Sequence, residues 1–155
     1  MAAGSTGSGE IVTVPKRAGD WPSRLHAFLE TRRRAPFCWG VNDCCLFVAD
    51  GVLAMTGVDI AVGFRDKYHD ESSCMALLKQ MGYASVSAMV AAELQSWGFA
   101  SVRPSFAQRG DIVAYDLAGV PALALVSLDG AYARGVGENG AAVLPVLKAV
   151  RAWRV

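Results

Sequence analysis

Apolar side chains recur at helical spacing over the first two thirds of the chain and predict four helices. The first helix begins at Asp20, a favourable N-cap, and ends near Ala35, because the residue before a proline avoids the helical region. Serine caps and glycine stops delimit the later helices. These are predicted at about residues 43–56, 72–81 and 86–97, with caps at Ser72 or Ser73 and at Ser85, and stops at Gly57, Gly82 and Gly98.

After Gly98 the pattern changes to short segments rich in β-formers and alanine, separated by glycine, proline and aspartate. Helices followed by strands are typical of an α+β domain, in which the helices pack on one side of a small antiparallel sheet. We therefore predict an α+β domain over residues 19–155. The predicted strands are DIVAYD, ALALVSLD, AYARGV, AAVLPVL and AVRAWRV.

Residues 1–18 are predicted to form a flexible N-terminal arm. Its first nine residues are rich in glycine, serine and alanine. The segment EIVTVP, residues 10–15, has the composition of a short strand that could pair with a partner chain. No basic start followed by an apolar run is present, so a signal peptide is not predicted and we expect synthesis in a reducing cytoplasm.

The composition limits the class of protein further. With 155 residues, 53% of them hydrophobic and 19% charged, the chain can bury one core and is too apolar for disorder. Its formal net charge of +1 gives no field that would attract nucleic acid. No segment reaches the roughly 18 consecutive apolar residues that a membrane-spanning helix needs. We expect one globular domain with neither a nucleic-acid partner nor a membrane span.

Four cysteines stand at positions 38, 44, 45 and 74, and they do not predict a disulfide framework in a reducing compartment. Their spacing also differs from the Cys-x2-Cys pairs of zinc and iron–sulfur sites. A metal site would have to combine Cys38, Cys44 and Cys74 with His69, since adjacent cysteines on a helix point apart. We predict free thiols, no metal and no cofactor.

Cys44 is the candidate nucleophile, because it stands in the first turn of the second predicted helix. Asn42 or Asp43 can cap this helix, and its unpaired N–H groups and positive dipole end favour a thiolate and would hold an oxyanion. Cys45 lies about 100° further around the helix and is predicted to face elsewhere. The alternative is a buried core cysteine, since free cysteine is among the most buried residue types.

Two sequence segments, WGVNDCCLFVAD and RGDIVAY, resemble the NlpC-type cysteine peptidases, papain-like enzymes that cut peptide stems of the bacterial cell wall. Asp43, Cys44, Phe47 and Val48 match the element that opens the nucleophile helix, and residues 110–113 match the Gly-Asp-Leu/Ile-Val strand. The chain is more similar to a phage family of unknown function that is encoded among tail genes. The resemblance implies a papain-like domain with a cleft lined by Trp39, Asn42, Asp43 and Ala122.

The chain departs from the peptidase pattern at its general base. In the peptidases a histidine stands early on the strand after the Gly-Asp-Leu/Ile-Val strand, where it takes the thiol proton and later protonates the leaving amine. Here that place falls on or near Ala122, and no histidine follows His69. His26 is predicted to lie at a helix surface and His69 in a loop. The family's Ser-Gly after the cysteine is replaced by Cys45-Leu46.

The resemblance and the missing histidine together predict a structural protein of a phage tail, at the tail tip or in its assembly machinery. The peptidase fold would then be degenerate and would serve as a protein–protein module for other tail proteins. The alternative is an active tail-tip cysteine peptidase or amidase that cleaves peptidoglycan stem peptides with Cys44 as nucleophile. In either case we expect the protein in the virion, after synthesis in the host cytoplasm.

Overall fold

The computed structural model describes residues 13–155, which form four helices followed by six strands. The helices are α1 (Trp21–Thr31), α2 (Cys44–Thr56), α3 (Glu71–Met81) and α4 (Val86–Ser96). The strands are β1 (Ala100–Val102), β2 (Ile112–Leu117), β3 (Val120–Val126), β4 (Tyr132–Gly137), β5 (Gly140–Pro145) and β6 (Arg151–Arg154). Short 3-10 helices precede β2 at Pro104–Phe106 and β6 at Val146–Lys148. Within the described range, no helix is both long and apolar enough to cross a membrane.

The helix ends follow the local sequence at α2 and α4, whereas α1 ends earlier than predicted, at Thr31, and α3 has a different cap. α2 ends at Gly57, which adopts the left-handed conformation that favours glycine (φ 78°), and Ser85 caps α4, as predicted. The predicted cap of α3, Ser72 or Ser73, is wrong. Asp70 is the N-cap, and the Ser73 hydroxyl accepts from the Asp70 backbone N–H, which completes a capping box. Aspartate competes well for this position because its carboxylate also favours the positive helix end.

The six strands form one antiparallel sheet in the order β1-β6-β2-β3-β4-β5. Strands β2 to β5 follow one another as hairpins, and β6 returns to pair with the other edge of β2. The α+β architecture is therefore confirmed, with five of the six strands at predicted positions. β1 was not predicted, because a strand of three residues is too short to show an alternating pattern.

α2 is the central helix of the core and packs against α1 and β3. Gly51 makes this close approach possible, because a Cβ at its position would collide with the Leu125 side chain of β3. Leu125, Leu123 and Ile112 face the helices. A second, smaller cluster covers the opposite face of the sheet and includes Val113, Tyr115, Ala124, Val126 and Val146.

Asp111, the acidic residue of the Gly-Asp element, is fully buried before β2. Its carboxylate accepts hydrogen bonds from Arg17 (3.0 Å), from Arg154 (3.1 Å) and from the backbone N–H groups of Gln108 (2.8 Å) and Val155 (3.1 Å). These four donors offset the cost of removing the charge from water. The Gly-Asp element therefore joins both ends of the domain to the sheet.

The last residues of the predicted arm, 15–18, are attached to the domain. Pro15 is buried, and the Ala18 N–H donates a hydrogen bond to the Met55 carbonyl at the end of α2 (2.8 Å). Residues 13–15 of the EIVTVP segment have no regular secondary structure. The rest of the predicted arm, residues 1–12, lies outside the described residues.

Candidate functional site

The start of α2 is fixed by the Asp43 carboxylate, which is buried and accepts three hydrogen bonds. The Leu46 N–H donates to one oxygen (2.9 Å), while the Gly40 N–H (3.0 Å) and the Tyr68 hydroxyl donate to the other. Asp43 therefore ties the first turn of α2 to the preceding loop and to the segment before α3. The arrangement leaves Cys44 as the first residue of the helix, as the sequence predicted.

Cys44 opens onto a cavity of about 390 Å³ between α2, α3 and the start of β3, here called the large cavity. Most of its lining is apolar, and its formal charges are the carboxylates of Asp43 and Glu71. A volume of this size is typical of small-molecule pockets. Its apolar lining includes Trp39, Phe64, Met75, Leu78, Met81 and Met89.

A second cavity of about 240 Å³, here called the small cavity, lies on the other side of the same residue. Cys44, Val86 and Pro121 line both cavities, so the Cys44 thiol stands at their junction. Ala122 and Leu123 of β3 line the small cavity. The nucleophile candidate is thus accessible from two directions.

Local hydrogen bonds favour the thiolate of Cys44. A hydrogen bond from the Cys45 thiol lowers the Cys44 pKa, burial opposes this, and a further hydrogen bond from the Leu123 backbone N–H lowers it again. The net effect is a Cys44 pKa below its ordinary value. The same bond raises the pKa of Cys45, and burial raises it further. Of the two thiols, Cys44 is therefore the one that loses its proton more readily.

Three of the four cysteines lie together, which the sequence did not predict. Cys45 was expected to face away from Cys44, but both line the large cavity, and Cys74 of α3 lines it too. The expectation failed because the cavity wraps around the first turn of α2. Burial raises the pKa of Cys74, whereas Cys38 is exposed. All four thiols are free, and within residues 13–155 no three His, Cys, Asp or Glu side chains are grouped to hold a metal.

Three of the four predicted cleft residues line a cavity, and the fourth supports the loop before α2. Trp39 and Asp43 line the large cavity, and Ala122 lines the small one. Asn42 lines neither cavity. Its amide donates to the Ala35 (3.3 Å) and Pro36 (3.0 Å) carbonyls and accepts from Arg32 (3.1 Å), so it holds the loop before α2 in place.

The alternation of side chains along β3 shows which residue of this strand stands where a general base for Cys44 would be. Side chains alternate along a strand, and Leu123 belongs to the core that faces the helices, while Ala122 packs with the cluster on the opposite face. Leu123 and Cys44 also line the small cavity together. The position whose side chain is directed to the Cys44 side of the sheet is therefore 123, one residue after the predicted Ala122.

Neither histidine approaches Cys44. The His69 side chain is 84% exposed and lies 3.5 Å from the Asp70 carboxylate, and it lines neither cavity. His26 is exposed on α1 and borders a separate depression beside Asp129 and Arg134. Within the part of the chain that the structure describes, the charged residues that line the two cavities beside Cys44 are Asp43, Glu71, Asp116 and Arg151.

Comparison with known proteins gives one match. Residues 16–155 match the family described as "Domain of unknown function (DUF6950)". The chain belongs to this family. No curated protein and no solved structure matches the chain.

The DUF6950 region includes every residue around the two cavities. Most of them were not predicted as site residues, and Tyr68, Cys45 and Cys74 are the ones among these that matter for the chemistry of Cys44. Tyr68 lies in the long loop between α2 and α3, and an aromatic residue in such a loop was the available signal. Cys74 was considered only as a ligand of the metal site that was not favoured, since its place beside Cys44 depends on how α3 folds back over α2.

Proposed function

We propose that this DUF6950 chain is a non-catalytic, papain-like domain related to the NlpC-type peptidases, and that it serves as a protein–protein module of a phage tail, at the tip or in tail assembly. The observation that supports a non-catalytic role is that, among residues 13–155, no histidine lines either cavity beside Cys44, and the basic residue that does, Arg151 of the small cavity, carries a guanidinium that cannot serve as a general base. Placement in a tail rests on the sequence resemblance.

Amide cleavage needs more than a reactive thiolate. The amine is a poor leaving group and has to receive a proton, which a histidine supplies in cysteine peptidases. The backbone of Leu123 and the carboxylate of Asp43 cannot supply it, since Asp43 is already bound by three donors. Peptide turnover at this site is therefore not expected.

The papain-like assignment is supported by the arrangement of three elements. Cys44 begins a helix that packs on the sheet, the Gly-Asp element leads into the neighbouring strand β2, and β3 follows with its backbone against the sulfur. These are the elements on which the sequence resemblance rests. Their common placement favours descent from a thiol peptidase rather than an independent origin.

A protein–protein role is supported by apolar side chains that remain exposed on the two 3-10 helices. These helices contact each other and present Phe106 (62% exposed) and Leu147 (81% exposed). Val150 is also exposed nearby along the chain. Neighbouring exposed apolar groups of this kind mark interaction surfaces.

The catalytic half of the proposal is tested by incubating the protein with purified peptidoglycan and measuring released stem peptides by mass spectrometry. We expect no release above the level of Cys44→Ala. Tail assembly is tested by complementing a phage that lacks the gene, where Cys44→Ala is expected to restore infectious particles. Release that disappears in Cys44→Ala would overturn the non-catalytic role.

The binding half is tested with Phe106→Asp and Leu147→Asp, which are expected to prevent incorporation of the protein into tails. Val62→Asp, at an exposed apolar position of another surface, is the matched control and is expected to be incorporated. Equal incorporation of all three variants would contradict a role for the 3-10 helix surface.

A second candidate is an active cysteine peptidase or amidase that cleaves peptidoglycan stems. The lowered pKa of Cys44 at the start of a helix favours it, because the thiolate is the reactive form. The same peptidoglycan experiment separates the candidates, since only this one predicts cleavage that depends on Cys44.

A further inference from the structure

The large cavity combines an activated thiol with a wall that suits neither peptides nor anions. Its charged lining residues, Asp43 and Glu71, are both acidic, and no lysine, arginine or histidine of the described chain lines it. A peptide stem with carboxylates would be repelled and would bury amide groups without partners. An uncharged apolar chain would bury its surface against side chains such as Met75, Leu78 and Met81.

We propose that the large cavity binds apolar acyl groups and that Cys44 accepts them from acyl thioesters as a stable S-acyl adduct. In the reaction the Cys44 thiolate attacks the thioester carbonyl carbon. A new carbon–sulfur bond forms, the donor's carbon–sulfur bond breaks, and the donor thiolate takes a proton from water. No oxidant or reductant is needed, and the proton that Cys44 loses beforehand passes to water.

The missing base determines which acyl donors can react. A thiolate is a good leaving group and departs without a proton, whereas an amine needs a general acid. A Cys44 thiolate activated by its neighbours can therefore exchange thioesters although it cannot cleave amides. Since the Leu46 N–H is already bound to Asp43, the backbone N–H groups of Cys44 and Cys45 would be the donors to the negative oxygen of the intermediate.

The absence of a general base beside Cys44 also explains why the S-acyl adduct would persist. Hydrolysis of a thioester at neutral pH is accelerated by a base that activates water, and in papain-like enzymes the histidine has this role. Among the described residues, neither histidine lines the large or the small cavity. The acyl chain would also fill the large cavity and exclude water from it.

Two other thiols in the cavity are poorer acceptors. The pKa of Cys45 is raised by its bond to Cys44, and burial raises the pKa of Cys74. Cys38 is exposed outside the cavity and is the internal control for unselective acylation. The structure thus predicts modification of one cysteine among four.

The test uses the full chain and two uncharged donors, the decanoyl and acetyl thioesters of N-acetylcysteamine, with intact-mass and peptide-mass detection. We expect one decanoyl group on Cys44, removed by neutral hydroxylamine, and formed about tenfold or more faster than the acetyl adduct, since each buried methylene adds binding energy. Cys44→Ser is expected to lose the label and to keep the unfolding temperature of the parent protein.

A matched pair on α3 tests the cavity itself. Met75→Asp places a charge in the lining and is expected to slow decanoylation about tenfold more than it slows acetylation. Ala76→Asp, at the next exposed position outside the lining, is expected to change neither rate. Equal rates for both donors, or equal labelling of Cys38, would overturn the proposal.

Acyl binding and the proposed function both rest on the absence of a general base beside Cys44. The experiment distinguishes which of the two is wrong. Absence of any adduct would refute acyl binding and leave the non-catalytic module intact. Rapid Cys44-dependent release of decanoate would refute both, because it requires a base that activates water.

Discussion

The Tyr68 hydroxyl donates a hydrogen bond to the carboxylate of Asp43, the residue that caps the helix of Cys44. This bond links the loop before α3 to the first turn of α2. Burial raises the pKa of Tyr68, and the bond to Asp43 raises it further, so the phenol stays protonated and remains a donor at neutral pH. The electrostatics of the site therefore depend on a residue outside the helix.

Replacement of Tyr68 by phenylalanine is expected to destabilise the fold by about 1–2 kcal/mol, because a buried carboxylate loses one donor. It should also raise the pKa of Cys44, since the negative charge of Asp43 already opposes thiolate formation and becomes less compensated. The pH dependence of alkylation by iodoacetamide measures this pKa. Tyr132→Phe, at an exposed tyrosine, is the control, and an unchanged Cys44 profile in Tyr68→Phe would contradict the link.

Glu93 gives the fold a pH-dependent stability. It is buried on α4, where burial raises its pKa and the hydrogen bond from Tyr83 (3.2 Å) only partly opposes this. The folded state therefore binds a proton more tightly than the unfolded state. Stability from this residue is fully present below the ordinary value of 4.5 and is lost as pH rises through the raised pKa.

Glu93→Gln is accordingly expected to raise the thermal unfolding midpoint at pH 7 and to flatten the fall of this midpoint as pH rises from 4.5 through the raised pKa of Glu93. Scanning calorimetry across this range measures both effects. Glu30→Gln, at an exposed position of α1, should leave the pH profile unchanged. A midpoint that drops at pH 7 in Glu93→Gln would show that the carboxylate stabilises the fold.

Asp111→Ala is expected to destabilise the domain by about 3–5 kcal/mol, because it leaves Arg17 and Arg154 without their buried partner. Urea unfolding measures the change. Asp20→Ala removes an exposed pair with Arg24 on the surface of α1 and should cost at most about 0.5 kcal/mol, because the Asp20 side chain makes no hydrogen bond to the helix backbone. Equal effects of the two substitutions would mean that Asp111 has no special structural role.

Gly51→Ala is expected to cost about 1–3 kcal/mol, because the new methyl group would overlap the Leu125 side chain and push α2 from the sheet. The intrinsic preference of helices for alanine offsets less than about 1 kcal/mol of this. Gly19→Ala is the control, since a methyl group there meets nothing within 4 Å. Denaturant unfolding of both variants provides the comparison.

The helix starts and the sheet could be predicted because they depend on residues close together along the chain. Contacts between distant residues could not be predicted from the sequence. The Gly57 stop and the position of Cys44 depend on neighbours along the chain, and they were predicted, while the cap of α2 was predicted as either Asn42 or Asp43. α1 ends at Thr31, four residues before the predicted Ala35, because the following residues turn to meet β4 and β5. That turn is set by contacts more than a hundred residues away.

In the candidate site, too, local features could be predicted and long-range contacts could not. Cys44 could be identified from its position after Asp43, but the grouping with Cys45 and Cys74 requires the fold. Ala122 was chosen by counting along the chain, and the pleat of β3 shows that Leu123 has the helix-facing side chain. A shift of one residue along a strand moves the side chain to the opposite face of the sheet. Matching the sequence to the family pattern therefore could not decide between Ala122 and Leu123.

The Asp111 carboxylate also determines how the domain would respond to mechanical force. Arg17 near one end of the described chain and Val155 at the other are both bound to the same carboxylate. A pull between these two ends would act first on a few hydrogen bonds and would leave the α2–β3 contact unloaded. The start and the end of the domain could therefore peel away under tension while the walls around Cys44 kept their shape.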